Sequence, residues 1–231
     1  MNKKFIKRLT IALTSTALIF ALVGCGSTSN TTSNSTTKKE IPKQTKQVKE
    51  PVGTAIDLGA GTFSCPDNIN PGVYDLSLIG TSDGTISAVT QSEDTSLNFT
   101  EDRLNNYSSD GDSLHSIVDK MRIKVIKGTK LTINGINKIH FEPVKSQPEL
   151  TNTVINAGRY ENFKPGRYTV TALYGDGALY IMNKDSAEQQ QMLSDGVAGS
   201  DPKTATITLK KGDVIFNSGI RQVKFERIGD K

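Results

Sequence analysis

Residues 69–76 read Ile69-Asn70-Pro71-Gly72-Val73-Tyr74-Asp75-Leu76, and residues 163–170 read Phe163-Lys164-Pro165-Gly166-Arg167-Tyr168-Thr169-Val170. Pro71 maps onto Pro165 at an offset of 94. In both stretches Pro sets φ at the first central position of a tight turn, and Gly accepts φ > 0 at the second. Tyr74 and Tyr168 then start strands whose alternate residues face a core. Each stretch leads into a Gly-opened second strand, Gly84-Thr85-Ile86-Ser87-Ala88-Val89 in one case and Gly177-Ala178-Leu179-Tyr180-Ile181-Met182 in the other.

Further on the likeness continues without a gap. Met121–Glu142 aligns with Ala205–Glu226 at an offset of 84, with seven of 22 positions identical, among them Gly128/Gly212, Phe141/Phe225 and Glu142/Glu226. Turn glycines and core positions recurring in one order point to an internal repeat. Met121, Ile123 and Val125 alternate with Arg122 and Lys124, as Ala205, Ile207 and Leu209 do with Thr206 and Thr208, which is the period of half-buried strands. Lys127-Gly128 and Lys211-Gly212-Asp213 close hairpins, and Phe141 and Phe225 end each copy facing inward. The expected fold is all-β: two tandem small antiparallel β-sandwich or jelly-roll-like domains of roughly 80–90 residues, each with five to seven strands. Their bounds are 54–145 and 146–231. Helix is expected over 185–193, capped by Asp185 or Ser186, and matched in the first copy by the spacing of Leu114, Ile117, Val118 and Met121.

The repeat follows a different kind of sequence. Lys3, Lys4, Lys7 and Arg8 precede an apolar run from Leu9 to Val23, the pattern of a secretory leader over 1–24. Thr10, Thr14, Ser15 and Thr16 interrupt that run, and a membrane-spanning helix needs about 20 apolar residues. Residues 25–53, rich in Ser, Thr, Asn and then Lys, hold almost no large apolar side chain and should form a disordered tether. Its r.m.s. reach is on the order of 25–30 Å.

Charge follows this division. The whole chain has 28 Lys and Arg against 24 Asp and Glu; the leader removes four positives and no acid, leaving 24 against 24. Residues 26–50 take five Lys and two Glu, so 51–231 carries 19 against 22, a net of −3. That domain has no basic excess for nucleic acid.

Leu22-Val23-Gly24-Cys25 resembles the bacterial lipobox of Gram-positive-type membrane lipoproteins. The resemblance covers 25 residues and implies that Cys25 takes a diacylglyceryl group, becomes the mature N-terminus and holds the chain on the extracytoplasmic face of the membrane. Leu22, Val23 and Gly24 would be read by the lipidating and cleaving enzymes. Two acyl chains suit stable anchoring, since one binds only marginally. The Pro-Gly-x-Tyr, Lys-x-Gly and closing Phe-Glu pattern over about 58–143 and 155–228 resembles an uncharacterised β-domain of Firmicutes surface proteins. That resemblance implies a fold and no activity. The first copy departs from it at Asp75 and at Gly128-Thr129, where Gly-Asp is usual.

Residues able to carry chemistry are few. With Cys25 lipidated, Cys65 has no partner and suits a small buried hydrophobe. Asp110-Gly111-Asp112 with Asp102 and Asp119 looks like a calcium loop, but the position for the bidentate Glu holds Met121, so a solvated acidic loop fits better. His115 and His140, the latter turned outward on a strand, are too few for a zinc site without carboxylate or Cys ligands. Gly175-Asp176-Gly177 is a hairpin turn. Tyr74, Tyr107, Tyr160, Tyr168, Tyr174 and Tyr180 suit packing better than a sugar-stacking face. No cofactor or metal is implied. The expected function is non-enzymatic: a lipid-anchored module binding cell-wall polymer or an extracellular protein. A wall-active hydrolase, with acids converging between the two domains, and a purely structural envelope component are the alternatives.

Overall fold

A computed structural model of the chain describes residues 51–90, 99–107, 117–183, 186–197 and 199–230. All of them fall in one compact unit, Gln47–Lys231. Cys25, the lipobox and most of the tether lie outside the described residues, as do Asp110, Asp112, Leu114 and His115.

The first half contributes β1 (Ile56–Leu58), β2 (Gly61–Ser64), β3 (Gly72–Leu78), β4 (Asp83–Val89), β5 (Phe99–Asn105), β6 (Lys120–Val125), β7 (Lys130–Asn134) and β8 (Ile139–Pro143). The second contributes β9 (Thr153–Tyr160), β10 (Gly166–Tyr174), β11 (Asp176–Asn183), β12 (Ser186–Ser194), β13 (Thr204–Leu209) and β14 (Val214–Gly229). The protein is all-β. One sheet has ten strands, in the order β1-β8-β3-β6-β9-β14-β10-β13 with β11 and β12 joined through β14; the other is β2-β7-β4-β5.

The expected helix over 185–193 is not there. Residues 186–194 form β12, antiparallel to β11, with Leu179 opposite Gln191 and Ala178 opposite Met192. Ala, Glu and Gln are good helix formers, but per-residue propensity amounts to only tenths of a kcal/mol, and a cross-strand ladder overrides it. Of this strand's described side chains only Leu193 is both large, apolar and fully buried, too little for a helical stripe. In the first half, Met121 lies in β6 and Val118 bridges Asn105, both extended.

The halves pair their strands in matching registers. Gly72 opposite Val125 recurs as Gly166 opposite Leu209, and Leu76 opposite Phe141 as Val170 opposite Phe225. Asp83 opposite Asn105 recurs as Asp176 opposite Ser194. Leu58 opposite Ile139 and Gly61 opposite Ile133 recur as Ile155 opposite Val223 and Gly158 opposite Asn217. The six strands of the second half do the work of eight: β9 spans the counterparts of β1 and β2, and β14 those of β7 and β8. β14 turns its corner between Asn217 and Gln222, where Gly219 has φ 84° and the buried Asn217 Nδ2 donates to Asn156 O (3.0 Å) and Ile220 O (2.8 Å).

Each half encloses its own hydrophobic cluster. Tyr74, Leu76, Ile123 and Phe141 from the large sheet meet Ile86, Leu131 and Ile133 from the small one. Tyr168, Val170, Ile207 and Phe225 meet Leu179, Leu193 and Ile215 in the second. Tyr74 and Tyr168 are fully buried, and each hydroxyl donates to the carbonyl four residues earlier, Asn70 O (2.7 Å) and Lys164 O (2.6 Å). A buried hydroxyl needs such an acceptor, and the Pro-Gly turn supplies it. Thr129 and Asp213 also match: the Thr129 hydroxyl accepts from Ile126 N (3.1 Å) as the Asp213 carboxylate accepts from Lys210 N (2.8 Å). The departure at Thr129 therefore keeps the turn's capping bond.

Candidate functional site

Polar side chains gather on the outward face of the large sheet in the first half and at the joint between the halves.

On the face, strand pairing lines up residues distant in sequence. Asp57 on β1 stands opposite His140 on β8, which stands opposite Ser77 on β3, which stands opposite Lys120 on β6. One rung along, Glu142, Asp75 and Arg122 are neighbours. His140 Nδ1 is 2.7 Å from Asp57 Oδ1 and its Nε2 is 3.2 Å from Glu142 Oε2. Only the imidazolium can donate at both ends. Asp57 first and then Glu142 hold the His140 pKa above its usual value. Arg122 forks onto Asp75 at 2.7 and 2.8 Å, which relieves the opposition of Asp75 and Glu142 on adjacent strands. Asp75, Ser77, Lys120, Glu142 and Asn156 line a hollow of about 280 Å³.

The joint is formed by β6 and β9, the only parallel pair among the described strands, through Met121 opposite Ala157 and Arg122 opposite Gly158. Gly158 has φ 97°, and a Cβ there would collide with the Arg122 carbonyl oxygen. Ala157 packs into the first half's core. Charged ties flank this contact. Glu161 meets Lys124 Nζ at 3.1 Å and Arg159 at 2.7 Å. Burial raises the Glu161 pKa, but Arg159 and Lys124 outweigh it and leave it below the ordinary carboxylate value. Asp119 pairs with Arg221 at 3.1 Å, and the Arg122 guanidinium lies 4.7 Å from the ring centre of Tyr160. The Tyr160 pKa is pushed up to about 12, mainly by burial.

Asp102 differs from these acids. It sits on β5, 7 % exposed, with Oδ1 accepting from Arg103 N at 2.9 Å. The Ser218 hydroxyl and Gly219 N–H of the second half lie close enough to favour its charge, yet neither reaches Oδ2 with hydrogen-bond geometry. Burial dominates and pushes its pKa up to about 6.

The other residues singled out by sequence take structural places. Cys65 is buried, and burial with the nearby Asp67 raises its thiol pKa. Tyr74, Tyr160 and Tyr168 are buried while Tyr107 and Tyr174 are partly exposed, so the tyrosines do not share a face. Asp176 begins β11 after the Gly175 turn, but the hairpins expected there, at Gly128 and at Gly212 do not form: β10 and β11, β6 and β7, and β13 and β14 each pair with other strands instead. Among the described residues, no three His, Cys, Asp or Glu side chains could hold a metal ion, and no helix is long and apolar enough to cross a membrane. The His140 face and the Asp102 contact were not predicted as sites. Alternation placed His140 outward, but its partner Asp57 lies 83 residues away.

Compared with protein-family models, curated proteins and solved structures, the chain matches none.

Proposed function

We propose that the chain is a lipid-anchored surface protein, held on the extracytoplasmic face through Cys25, that displays two tandem β-sandwich domains derived from an internal duplication. They serve as a non-enzymatic binding module for a cell-wall polymer or an extracellular protein. Matching pairing registers through both halves, together with the identities at the offset of 84, support the duplication. The lipobox and the tether support the anchor. One observation favours binding over hydrolysis: the acids at the joint are engaged in structure, Glu161 with two cations and Asp119 with Arg221, while Asp102 is buried. Glycoside hydrolysis needs two carboxyl groups flanking a substrate bond.

Two measurements test this. Metabolic labelling with a radioactive fatty acid should mark the wild type, and Cys25→Ser should lose the label and leave the membrane; equal labelling of the variant rejects the anchor. Residues 47–231 should be retained on purified wall polymer or by a secreted protein. Turnover of muropeptide by that fragment would replace binding with the hydrolase.

A further inference from the structure

The β6–β9 joint has an unused counterpart for each of its two sides. By register, β13 stands in the second half where β6 stands in the first, since Gly166–Leu209 repeats Gly72–Val125. Lys203 O accepts from Ala172 N at 2.9 Å, so backbone groups of residues 203, 205 and 207 turn toward β10. Those of Thr204, Thr206 and Thr208 therefore point away from it. β13 ends its sheet, leaving this edge without a strand partner among the described residues. Thr206 holds the place of Arg122, whose main chain receives Gly158.

The inserting side recurs as well. Gly61 opposite Ile133 repeats Gly158 opposite Asn217, so Ala60-Gly61 stands where Ala157-Gly158 stands, with the same two residue types. Ala60 and Gly61 are exposed, and β2 ends the four-stranded sheet. A Cβ on Gly61 would meet only the Phe63 ring among the described residues, so none of their main chain occupies the space filled by Arg122 beside Gly158. The ion pairs do not recur: Lys124 with Glu161 becomes Thr208 with Ser64, and Asp119 with Arg221 becomes Lys203 with Asn137. No like charges are opposed in these substituted pairs.

We propose that the chain associates with further copies of itself head to tail, the Ala60–Gly61 edge of one copy adding in parallel to β13 of the next as Ala157–Gly158 adds to β6. Gly61 opens β2 at the end of the four-stranded sheet and β13 ends the ten-stranded order, so the contact joins unlike surfaces. Contacts of that kind extend into open chains unless the rotation closes a ring. With two residue pairs and no ion pair, it is weak in solution and gains from crowding of copies on a surface. It rests on strand registers and owes nothing to Cys25, so loss of fatty-acid labelling would leave it standing.

Residues 47–231 contain both cores and all 14 strands, and are suited to sedimentation velocity from about 10 μM to about 1 mM. Wild type should grow beyond dimer as concentration rises. Thr206→Pro removes an outward N–H from an edge strand, where proline is tolerated, and should leave a folded monomer. Ser64→Glu with Thr208→Lys recreates the Lys124–Glu161 pair across copies and should tighten association roughly two- to fivefold. Ser64→Lys with Thr208→Lys should abolish it, and gives the same reading if proline disturbs β13. A single non-associating species for wild type and for Ser64→Glu/Thr208→Lys overturns the proposal. So does a dimer that stops at two and ignores both disruptive variants, which would assign the contact to another edge such as β12.

Discussion

Gly158 lies against the main chain of Arg122, and this approach is what makes one sheet of two halves. Any Cβ at 158 must push β9 from β6, and φ 97° disfavours a side chain even with room. Gly158→Val should cost about 2–4 kcal/mol. In urea unfolding followed by separate probes in each half, the two transitions should come apart. A single unshifted transition would show that β6–β9 is not what couples them.

Asp102 should make stability depend on pH in the direction opposite to a salt-bridged acid. Its folded pKa of about 6 lies above the unfolded value near 3.8, so the native state binds the extra proton between them. The associated stability is full below the unfolded value and is lost as pH rises through about 6. The loss approaches about 3 kcal/mol for a shift of this size. Asp102→Asn should flatten this part of the curve and be the more stable protein at neutral pH. Equal slopes for variant and wild type in urea unfolding from pH 4 to 7 would reject the buried-acid account.

His140 shifts stability in the same direction as Asp102, from the outward face of the large sheet. Its raised folded pKa gives stability that is present below the unfolded value of about 6.5 and is lost as pH rises through the folded one. An NMR titration of the imidazole should show a midpoint above 6.5, and Asp57→Asn should lower it more than Glu142→Gln. The nearer partner, at 2.7 Å against 3.2 Å, sets the order.

Tyr74→Phe and Tyr168→Phe should cost similar amounts, each about 1 kcal/mol, since each deletes one buried hydroxyl donation across a Pro-Gly turn. Tyr168 has a second, longer acceptor in Leu150 O at 3.4 Å. Thermal unfolding of the two variants should therefore differ little. A large cost at one and none at the other would mean the two turns are not mechanically alike.

Most strands were legible because Pro71-Gly72, Pro165-Gly166, Gly128 and Gly212 mark turns and Tyr, Ile and Val alternate after them. Three features were not. β12 is spelled in helix-favouring residues, and only pairing with β11 makes it a strand. The joint was hidden because Ala157-Gly158 reads like Ala60-Gly61, yet among the described strands only the former lies in a parallel pair. The Asp57–His140–Glu142 group exists only once β1 and β8 are paired, and no local periodicity encodes that contact.

Cys65 is 4 % exposed and belongs to the first core, while the second half contains no thiol. A thiol reagent can reach that sulfur only when the first half opens. In the fragment 47–231 its rate of labelling is therefore a clock for one lobe alone, with the other running silently beside it.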